Sequence, residues 1–267
     1  ETILSAKYRI LCPPEPMSTP FSIVVVSKIL PDEISWKKDG TPIISEKEAR
    51  LDALDDFNHP RIRRGYILKA LQEHKGVEFQ LPQLSHPDIA AYHDTQSYGL
   101  LNFFKTAWQE WADLGDGRDP MASLKKDEIY IPALIPGNVP LPREPRQRPS
   151  KNVMGQMGYY CTDTCTPVFV ELLEEIQQDA AIVAQALGLT KSHSVVYALP
   201  THPGHHAAQD SFGGYCYLNH AAHAARQLQR RFDKVAVLDV DYHCGNGTAS
   251  ILFDDPNILV VSLHCHP

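Results

Sequence analysis

A carboxylate and an imidazole two residues apart, Asp241 and His243, follow directly on an apolar run that begins at Val235. This run of β-branched residues and leucine is typical of a strand buried on both faces of a parallel sheet. Side chains two apart on a strand point the same way, and open α/β sheets bind ligands at the carboxyl ends of their strands. The pair could therefore supply two ligands of a catalytic zinc ion, which needs a third. A surface pair or a packed pair is the alternative, because Asp-x-His is common.

Two adjacent histidines, His205 and His206, come directly after a second predicted strand over residues 194–199. At the carboxyl end of that strand they could present two imidazoles to one point, one as a proton carrier and one as a charged partner. Two histidines in an ordinary surface loop would give the same pattern. The buried-strand context of Asp241 favours the catalytic interpretation.

Paired glycines and an aromatic residue follow at Gly213, Gly214 and Tyr215. Paired glycines permit close backbone approach, and the aromatic ring could form the wall of a narrow channel. A loop before a helix with core tyrosines is the alternative. Cys216 or Cys244 could also act as a thiolate nucleophile activated by histidine, which would make the protein a cysteine hydrolase.

Two further histidines, His220 and His223, are three residues apart on a predicted helix. This spacing could bind a metal, but no acidic residue lies beside them in the sequence, so a packed or exposed pair is the better interpretation. A cysteine hydrolase, in turn, would leave Asp239 and Asp241 unexplained.

The composition excludes several classes of protein. A net charge of −7 over 267 residues, with 25 Lys and Arg against 32 Asp and Glu, argues against a direct nucleic-acid partner. Six cysteines contain no C-x-x-C pair, which favours thiols in a reducing compartment. No apolar run approaches the 18 or so residues that a spanning helix needs, and no secretory signal is visible. We therefore expect no membrane partner and a cytoplasmic address, with a nuclear one as the alternative.

The order of the predicted elements indicates an α/β fold with a parallel sheet flanked by helices. Apolar periodicity predicts helices over residues 61–75, 87–98, 100–112, 169–187 and 216–232. It predicts strands over residues 21–30, 194–199, 234–241 and 258–263. Residues 155–165 are expected to form a packed turn, and the proline-rich segment 115–154 a long insertion. We interpret residues 1–267 as a single domain.

The motifs, taken in order and spacing, resemble the zinc-dependent histone deacetylase family. They are His205-His206, Gly213-Gly214-Tyr215-Cys216, Asp239-Val-Asp241-Tyr-His243-x-Gly-Asn246-Gly-Thr and Ser262-Leu263-His264. Within the family the sequence is most similar to the acetylpolyamine amidohydrolase branch. That similarity extends to His93-Asp94, to residues 101–111, to Gly158-Tyr159-Tyr160-Cys161 and to the proline-rich insertion. It covers residues 57–267, whereas residues 1–56 match less clearly.

The resemblance implies a three-layer arginase-deacetylase fold with two metal sites. Asp241 and His243 would bind Zn²⁺, which polarises the amide carbonyl and activates water. Family members also hold a potassium ion, which here would be bound by groups at Asp239, Asp241, His243, Ser262 and Leu263, mostly through backbone oxygens.

The resemblance also implies roles for the residues around the zinc. His206 would be the general base and then the acid for the leaving amine, while His205, oriented by Asp239, would supply electrostatic help. Asn246 stands where some members carry aspartate. A neutral amide stabilises imidazolium less than a carboxylate does.

Three departures from the family pattern stand out. Cys244 replaces the second histidine of the usual His-His-Gly and would alter the orientation of His243. His202 places another titratable group near the site. The sequence stops at Pro267, whereas the family continues to an aspartate that is the third zinc ligand and a tyrosine that stabilises the oxyanion. Gly214 and Tyr215 keep the family pattern and would line the substrate channel.

We expect hydrolysis of an acetylated amine, either an acetylpolyamine or acetyl-lysine, to acetate and the free amine. The alternative is a truncated, catalytically inactive binding or scaffold protein without a working metal centre. Tightly held zinc with hydroxamate-sensitive acetate release would favour the enzyme. The insertion at 115–154 would narrow the entrance or form a homodimer contact, and the sequence leaves both open.

Overall fold

The computed structural model describes residues 23–43, 60–83, 87–114, 130–131 and 148–265. The strands in this part of the chain are β1 (Ile23–Ser27), β2 (Val77–Gln80), β3 (Tyr130–Ile131), β4 (Val168–Phe169), β5 (Val195–Leu199), β6 (Val235–Asp239) and β7 (Ile258–Ser262). The α-helices are α1 (Pro60–Gln72), α2 (Tyr98–Asp113), α3 (Val153–Tyr160), α4 (Leu172–Leu189), α5 (His220–Gln229) and α6 (Asn246–Leu252). Short 3-10 helices cover Pro31–Glu33 and Ile89–Asp94. Most of the predicted insertion and of residues 1–56 lies outside the described residues.

Parallel pairing dominates the sheet structure. Strands β2, β1 and β5 form a three-stranded parallel sheet in that order, β6 and β7 form a parallel pair, and β3 and β4 pair antiparallel. Helix α4 packs against β1 and β5, helix α5 packs against β6, and the two helices contact each other. The parallel arrangement with flanking helices is as predicted, but the described strands fall into separate sheets.

The three-stranded sheet lies between two helical layers because successive side chains of β1 point to opposite faces. Val25 packs on one face with Leu68 of α1, and Val26 packs on the other with Ile182 of α4. All four side chains are fully buried. Because the buried valines of β1 alternate between the two faces, helices pack on both sides of the sheet in a three-layer α/β/α arrangement.

The prediction that β6 is buried on both faces is wrong. Val235 and Val237 pack against α5 and α6, whereas the side chain of Leu238 is 64% exposed. Among the described residues, helices cover only one face of the β6–β7 pair. An apolar run shows that a strand can be buried, but which faces are covered depends on the elements that pack against it.

Several boundaries also differ from the sequence prediction. Residues 155–165 were predicted as a turn, yet α3 begins at Val153, where the Asn152 side chain accepts a hydrogen bond from the Met154 amide. Helix α5 begins at His220 rather than at 216, because Asn219 caps it by accepting from the Ala222 amide. Asn side chains at these positions satisfy amides that have no partner inside the helix.

An aromatic cluster lies under the segment that precedes α5. Phe103 and Phe104 of α2 pack against Tyr160, Phe212 and Tyr217, with ring centroids between 5.3 and 6.0 Å apart. These aromatic rings of α2 belong to the hydrophobic core. The cluster supports the segment that carries the glycine pair.

In the described residues, no helix is long and apolar enough to cross a membrane.

His202, predicted to lie near the catalytic site, is a buried structural residue. Its Nδ1 lies 2.9 Å from Asp179 Oδ2 and its Nε2 lies 3.4 Å from Glu175 Oε2, both carboxylates on α4. Asp179 also accepts hydrogen bonds from the Thr201 and His202 amides, at 2.6 and 3.0 Å. Burial by itself would raise the pKa of Asp179, but the charge and hydrogen bond of His202 outweigh it and lower the pKa.

Asp179→Asn is expected to weaken the acid dependence of stability. Because the folded-state pKa lies below the ordinary value of 3.8, the carboxylate stabilises the fold fully above that value. This stabilisation is lost as the pH falls through the folded pKa. We expect the variant to be less stable near neutral pH by about 2–3 kcal/mol. Its free energy of unfolding, measured with urea, should fall less steeply than that of the wild type as the pH is lowered. Asp233→Asn, at an exposed position, is the control. A free energy of unfolding that falls with pH as steeply in Asp179→Asn as in the wild type would contradict the expectation.

Candidate active site

The histidine doublet lies in the loop after β5 and is anchored on the start of α6. The backbone oxygen of His205 accepts hydrogen bonds from the Gly247 and Thr248 amides, at 2.9 and 3.1 Å. A Cβ at Gly247 would clash with the backbone of Ala207, so only glycine permits this approach. The loop is thereby held beside the segment that follows β6.

His205 is paired with the carboxylate at the end of β6. Its Nδ1 donates to Asp239 Oδ2 at 2.9 Å, and the two side chains are 14% and 15% exposed. Its Nε2 lies 3.6 Å from Asp241 Oδ1. Gly245 makes room for this pair, because a Cβ there would clash with Asp239. The carboxylate fixes the ring orientation of His205.

His206 is paired with an amide instead of a carboxylate. Its Nδ1 donates to Asn246 Oδ1 at 2.6 Å, and its ring centroid lies 4.0 Å from that of His205. When Nδ1 carries the proton, Nε2 has a free lone pair. In that tautomer Nε2 is the ring atom that can accept a proton.

Asp241 and His243 lie close together as predicted, but not for the predicted reason: β6 ends at Asp239 and both residues follow it in bends, so strand alternation does not bring them together. Asp241 Oδ1 lies 3.3 Å from His243 Nδ1 and accepts the His243 amide at 2.8 Å. The ring of His243 lies 6.0 Å from that of His206, centroid to centroid. Burial would raise the pKa of Asp241, but the His243 amide and the charges of His205 and His243 together lower it. The carboxylate is thus ionised and available as a ligand.

The separation of these two atoms suits a tetrahedral zinc ion. Bonds of about 2.0–2.2 Å at a tetrahedral angle place two ligand atoms roughly 3.3 Å apart. The side chains are 50% and 70% exposed, so one side of the pair is open. In the part of the chain that the structure describes, no group of three or more His, Cys, Asp or Glu side chains is placed to hold a metal. Asp241 and His243 are donors of the type that zinc prefers, and zinc binding by them stays a prediction.

The residues of the predicted potassium site lie beside Asp239. The Leu263 amide donates to the Asp239 backbone oxygen at 2.8 Å, and Ser262 Oγ accepts from the Gly245 amide at 3.4 Å. Ser262 is paired with Asp239 in the β6–β7 register. The structure brings these residues together, and their role in binding potassium stays a prediction.

The glycine pair forms a tight turn against His206. Gly214 and Tyr215 have positive φ angles of 56° and 62°, the left-handed region that side chains disfavour. A Cβ at Gly214 would clash with the ring of His206. The sequence therefore needs glycine at this position for both conformation and space.

Gly214→Ala is expected to destabilise the protein by about 2–4 kcal/mol, since the new methyl group adds a steric clash to a left-handed backbone. The matched control is Gly188→Ala in α4, where a Cβ meets nothing within 4 Å. That variant should gain about 0.5–1 kcal/mol, because alanine favours helix. Urea unfolding measures both. Equal stability of Gly214→Ala and the wild type would show that the turn is not as described.

The cysteine nucleophile alternative is not supported at Cys216. This side chain is fully buried, and burial raises the pKa of its thiol to about 12. A thiol with such a pKa is not ionised near neutral pH and is a poor nucleophile. Cys244 is exposed. A thiolate mechanism at Cys216 is therefore not a competing explanation of this site.

His220 and His223 are packed residues, as the sequence favours. Tyr92 Oη lies 2.8 Å from His220 Nδ1, and His223 Nδ1 lies 3.1 Å from Asp94 Oδ1. The ring of His223 also stacks on Tyr92, with centroids 4.1 Å apart. Burial lowers the pKa of His220 to about 4, so this imidazole is neutral at physiological pH.

Sequence reasoning missed the carboxylate that contacts the glycine turn. Asp163 Oδ2 accepts a hydrogen bond from the Gly214 amide at 2.5 Å. The local pattern Asp163-x-x-Thr166 could have indicated a side-chain-capped turn. Its partner is 51 residues away, so nothing in the local sequence connects the two.

Comparison with known proteins identifies close similarities. The profile of the Histone deacetylase domain matches residues 56–267. Acetylpolyamine amidohydrolase 2 of Pseudomonas aeruginosa is 36% identical over 173 residues, which are 64% of this chain and 46% of that protein. Acetylpolyamine amidohydrolase of Mycoplana ramosa is 33% identical over 209 residues, 77% of this chain and 56% of that protein. The chain thus spans about half the length of these curated relatives.

A solved structure supports the fold. The crystal structure of acetylpolyamine aminohydrolase from Burkholderia pseudomallei superposes with a TM-score of 0.62 at 24% identity, covering 92% of this chain and 64% of that one. At this identity the likeness concerns the architecture. It agrees with a parallel sheet flanked by helices.

Proposed function

Because the chain belongs to the histone deacetylase domain family, we propose that it contributes the catalytic histidines and two zinc ligands to a deacetylase that acts on acetylated amines. The observation that carries the proposal is the placement of His206. Its Nδ1 is hydrogen bonded to Asn246, and its ring lies beside both the His205–Asp239 pair and His243. An imidazole so placed can transfer protons next to a metal site.

Asp241 and His243 would hold the zinc ion, and their 3.3 Å separation supports this assignment. When bound, zinc would polarise the acetyl carbonyl and lower the pKa of the attacking water. A potassium ion at Asp239, Ser262 and Leu263 belongs to the same proposal and would stiffen the end of β6.

His206 Nε2 would take a proton from the water whose oxygen bonds to the acetyl carbon. It would then give that proton to the amine nitrogen as the carbon–nitrogen bond breaks, which yields acetate and the free amine. Asn246 keeps the Nδ1 proton in place, so that Nε2 is the atom that exchanges protons. His205, held by Asp239, would supply electrostatic help to the reaction.

We propose an acetylpolyamine as the substrate in preference to acetyl-lysine in a protein. The relatives that match over most of this chain carry the name acetylpolyamine amidohydrolase. The net charge of −7 suits a cationic small molecule through long-range attraction. A cytoplasmic location and a homodimer belong to the same proposal.

The test is acetate release by the purified protein from a monoacetylated diamine and from an acetyl-lysine peptide, with zinc measured in the same sample. We expect about one zinc per chain, hydroxamate-sensitive release of acetate and preference for the diamine. A folded protein with neither zinc nor acetate release would favour the scaffold alternative. Loss of activity on thiol alkylation with zinc retained would favour a cysteine hydrolase.

A further inference from the structure

The segment from Thr162 to Thr166 runs beside the glycine turn and makes its closest contacts through one carboxylate. We propose that Asp163 is a positioning residue, which holds the Gly214–Tyr215 turn against His206. The inference rests on the proposed function, in which this turn lines the substrate channel and His206 transfers protons.

Asp163 uses both of its oxygens. Oδ1 accepts the amides of Cys165 and Thr166 at 2.8 and 2.7 Å, which closes its own loop. Oδ2 accepts the Gly214 amide at 2.5 Å and the Thr166 hydroxyl at 2.9 Å. One oxygen therefore orders the loop and the other connects that loop to the turn.

Thr166 extends the connection by one residue. Its side chain is buried, and its Oγ1 accepts the Tyr215 amide at 2.9 Å while the hydroxyl donates to Asp163. Asp163 and Thr166 thus bind two successive amides of the turn. These are the amides of Gly214 and Tyr215, the two residues with left-handed backbone in this turn.

The turn needs such support because Tyr215 carries a side chain in a conformation that L-residues disfavour. Without the two acceptors, the turn would relax towards ordinary backbone angles. Gly214 touches the ring of His206 closely enough that a Cβ would clash with it. A relaxed turn would therefore free the ring of His206 on its Gly214 side.

Charge supports the same assignment. Burial opposes ionisation of Asp163, but hydrogen bonds from Gly214, Cys165 and Thr166 outweigh it and lower the pKa of the carboxyl. The group is thus a carboxylate that only accepts hydrogen bonds. An asparagine of the same shape has one accepting oxygen and one donating nitrogen, so it cannot satisfy both sets of amides.

The experiment combines amide hydrogen exchange, read residue by residue by NMR, with steady-state kinetics on four variants. Asp163→Asn and Thr166→Val each remove an acceptor of the turn with little change of shape. Thr166→Ser keeps the hydroxyl and is the conservative rescue. Asp210→Asn is the charge control, because it removes a carboxylate four residues before Gly214 in the chain and leaves Asp163 and Thr166 unchanged.

We expect exchange at the Gly214 and Tyr215 amides to accelerate about tenfold or more in Asp163→Asn and Thr166→Val, since each loses a hydrogen bond of ordinary strength. In the same variants kcat should fall at least about tenfold, with a smaller change in KM, because the position of His206 affects the chemical step more than binding. Thr166→Ser and Asp210→Asn should match the wild type in both readouts. Should Asp163→Asn fail to fold, the Thr166→Val and Thr166→Ser pair provides the same comparison.

Unchanged exchange at Gly214 in Asp163→Asn would overturn the positioning role. So would acceleration spread evenly over the whole chain, which would indicate global destabilisation. The exchange readout needs no catalysis, so an inactive wild-type protein would defeat the proposed function while exchange still decides whether Asp163 holds the turn.

Discussion

His206→Ala should lower kcat for acetate release by about 10²–10⁴-fold, the usual contribution of a general acid–base group. The loss follows from the geometry. His206 is the member of the doublet that is paired with a neutral amide, so its Nε2 can both accept and return a proton. Steady-state acetate release at saturating substrate measures the effect.

The matched control is His74→Ala, because His74 is an exposed histidine in the turn after α1. That variant should keep wild-type kcat and wild-type zinc content. His206→Ala should also keep its zinc, since His206 is not one of the two assigned ligands. Retention by His206→Ala of more than about a tenth of the wild-type kcat would rule out His206 as the proton carrier.

Asp241→Ala should remove the zinc ion and with it the acetate release. Loss of a group that merely orients a metal ligand weakens metal binding about 10–100-fold, and loss of a ligand should cost more. Metal analysis after dialysis and competition with a zinc-binding dye measure the change. His243→Ala should behave in the same way, since its Nδ1 lies 3.3 Å from Asp241 Oδ1 and is the second assigned ligand.

Asp254→Ala is the control for the loss of an exposed carboxylate. It should bind zinc as the wild type does. Asp241 is itself half exposed, so both variants should remain folded, with unfolding free energies changed by no more than about 0.5 kcal/mol in the metal-free state. Full zinc content in Asp241→Ala would contradict the assignment of Asp241 as a zinc ligand.

The family and the fold class could be predicted from the sequence. The profile match over residues 56–267 confirms the resemblance drawn from the histidine doublet and the Asp-x-Asp-x-His motif. Parallel pairing of β1 with β5 and of β6 with β7 agrees with the predicted order of elements. These features could be predicted because they depend on residues a few positions apart. Over that distance, strand periodicity already determines which side chains share a face.

Other features could not be predicted from the sequence, and the reason is physical. An apolar strand such as β6 could be covered on one face or on both, and only its neighbours decide which. The start of α3 and the start of α5 depend on the capping residues Asn152 and Asn219, and asparagine is equally common in turns.

The sequence by itself determined the family, whose motifs include Asp241, His243 and the glycine at position 214. It did not determine how Asp241 and His243 meet, because β6 ends at Asp239 and both residues lie in bends after it. The resemblance implied Asp239 as the partner of His205 and Asn246 as the partner of His206, and the structure shows both contacts; only the tertiary structure revealed Asp163 as the partner of Gly214. These partners are 34, 40 and 51 residues apart, so the packing of whole elements brings them together and local propensity does not.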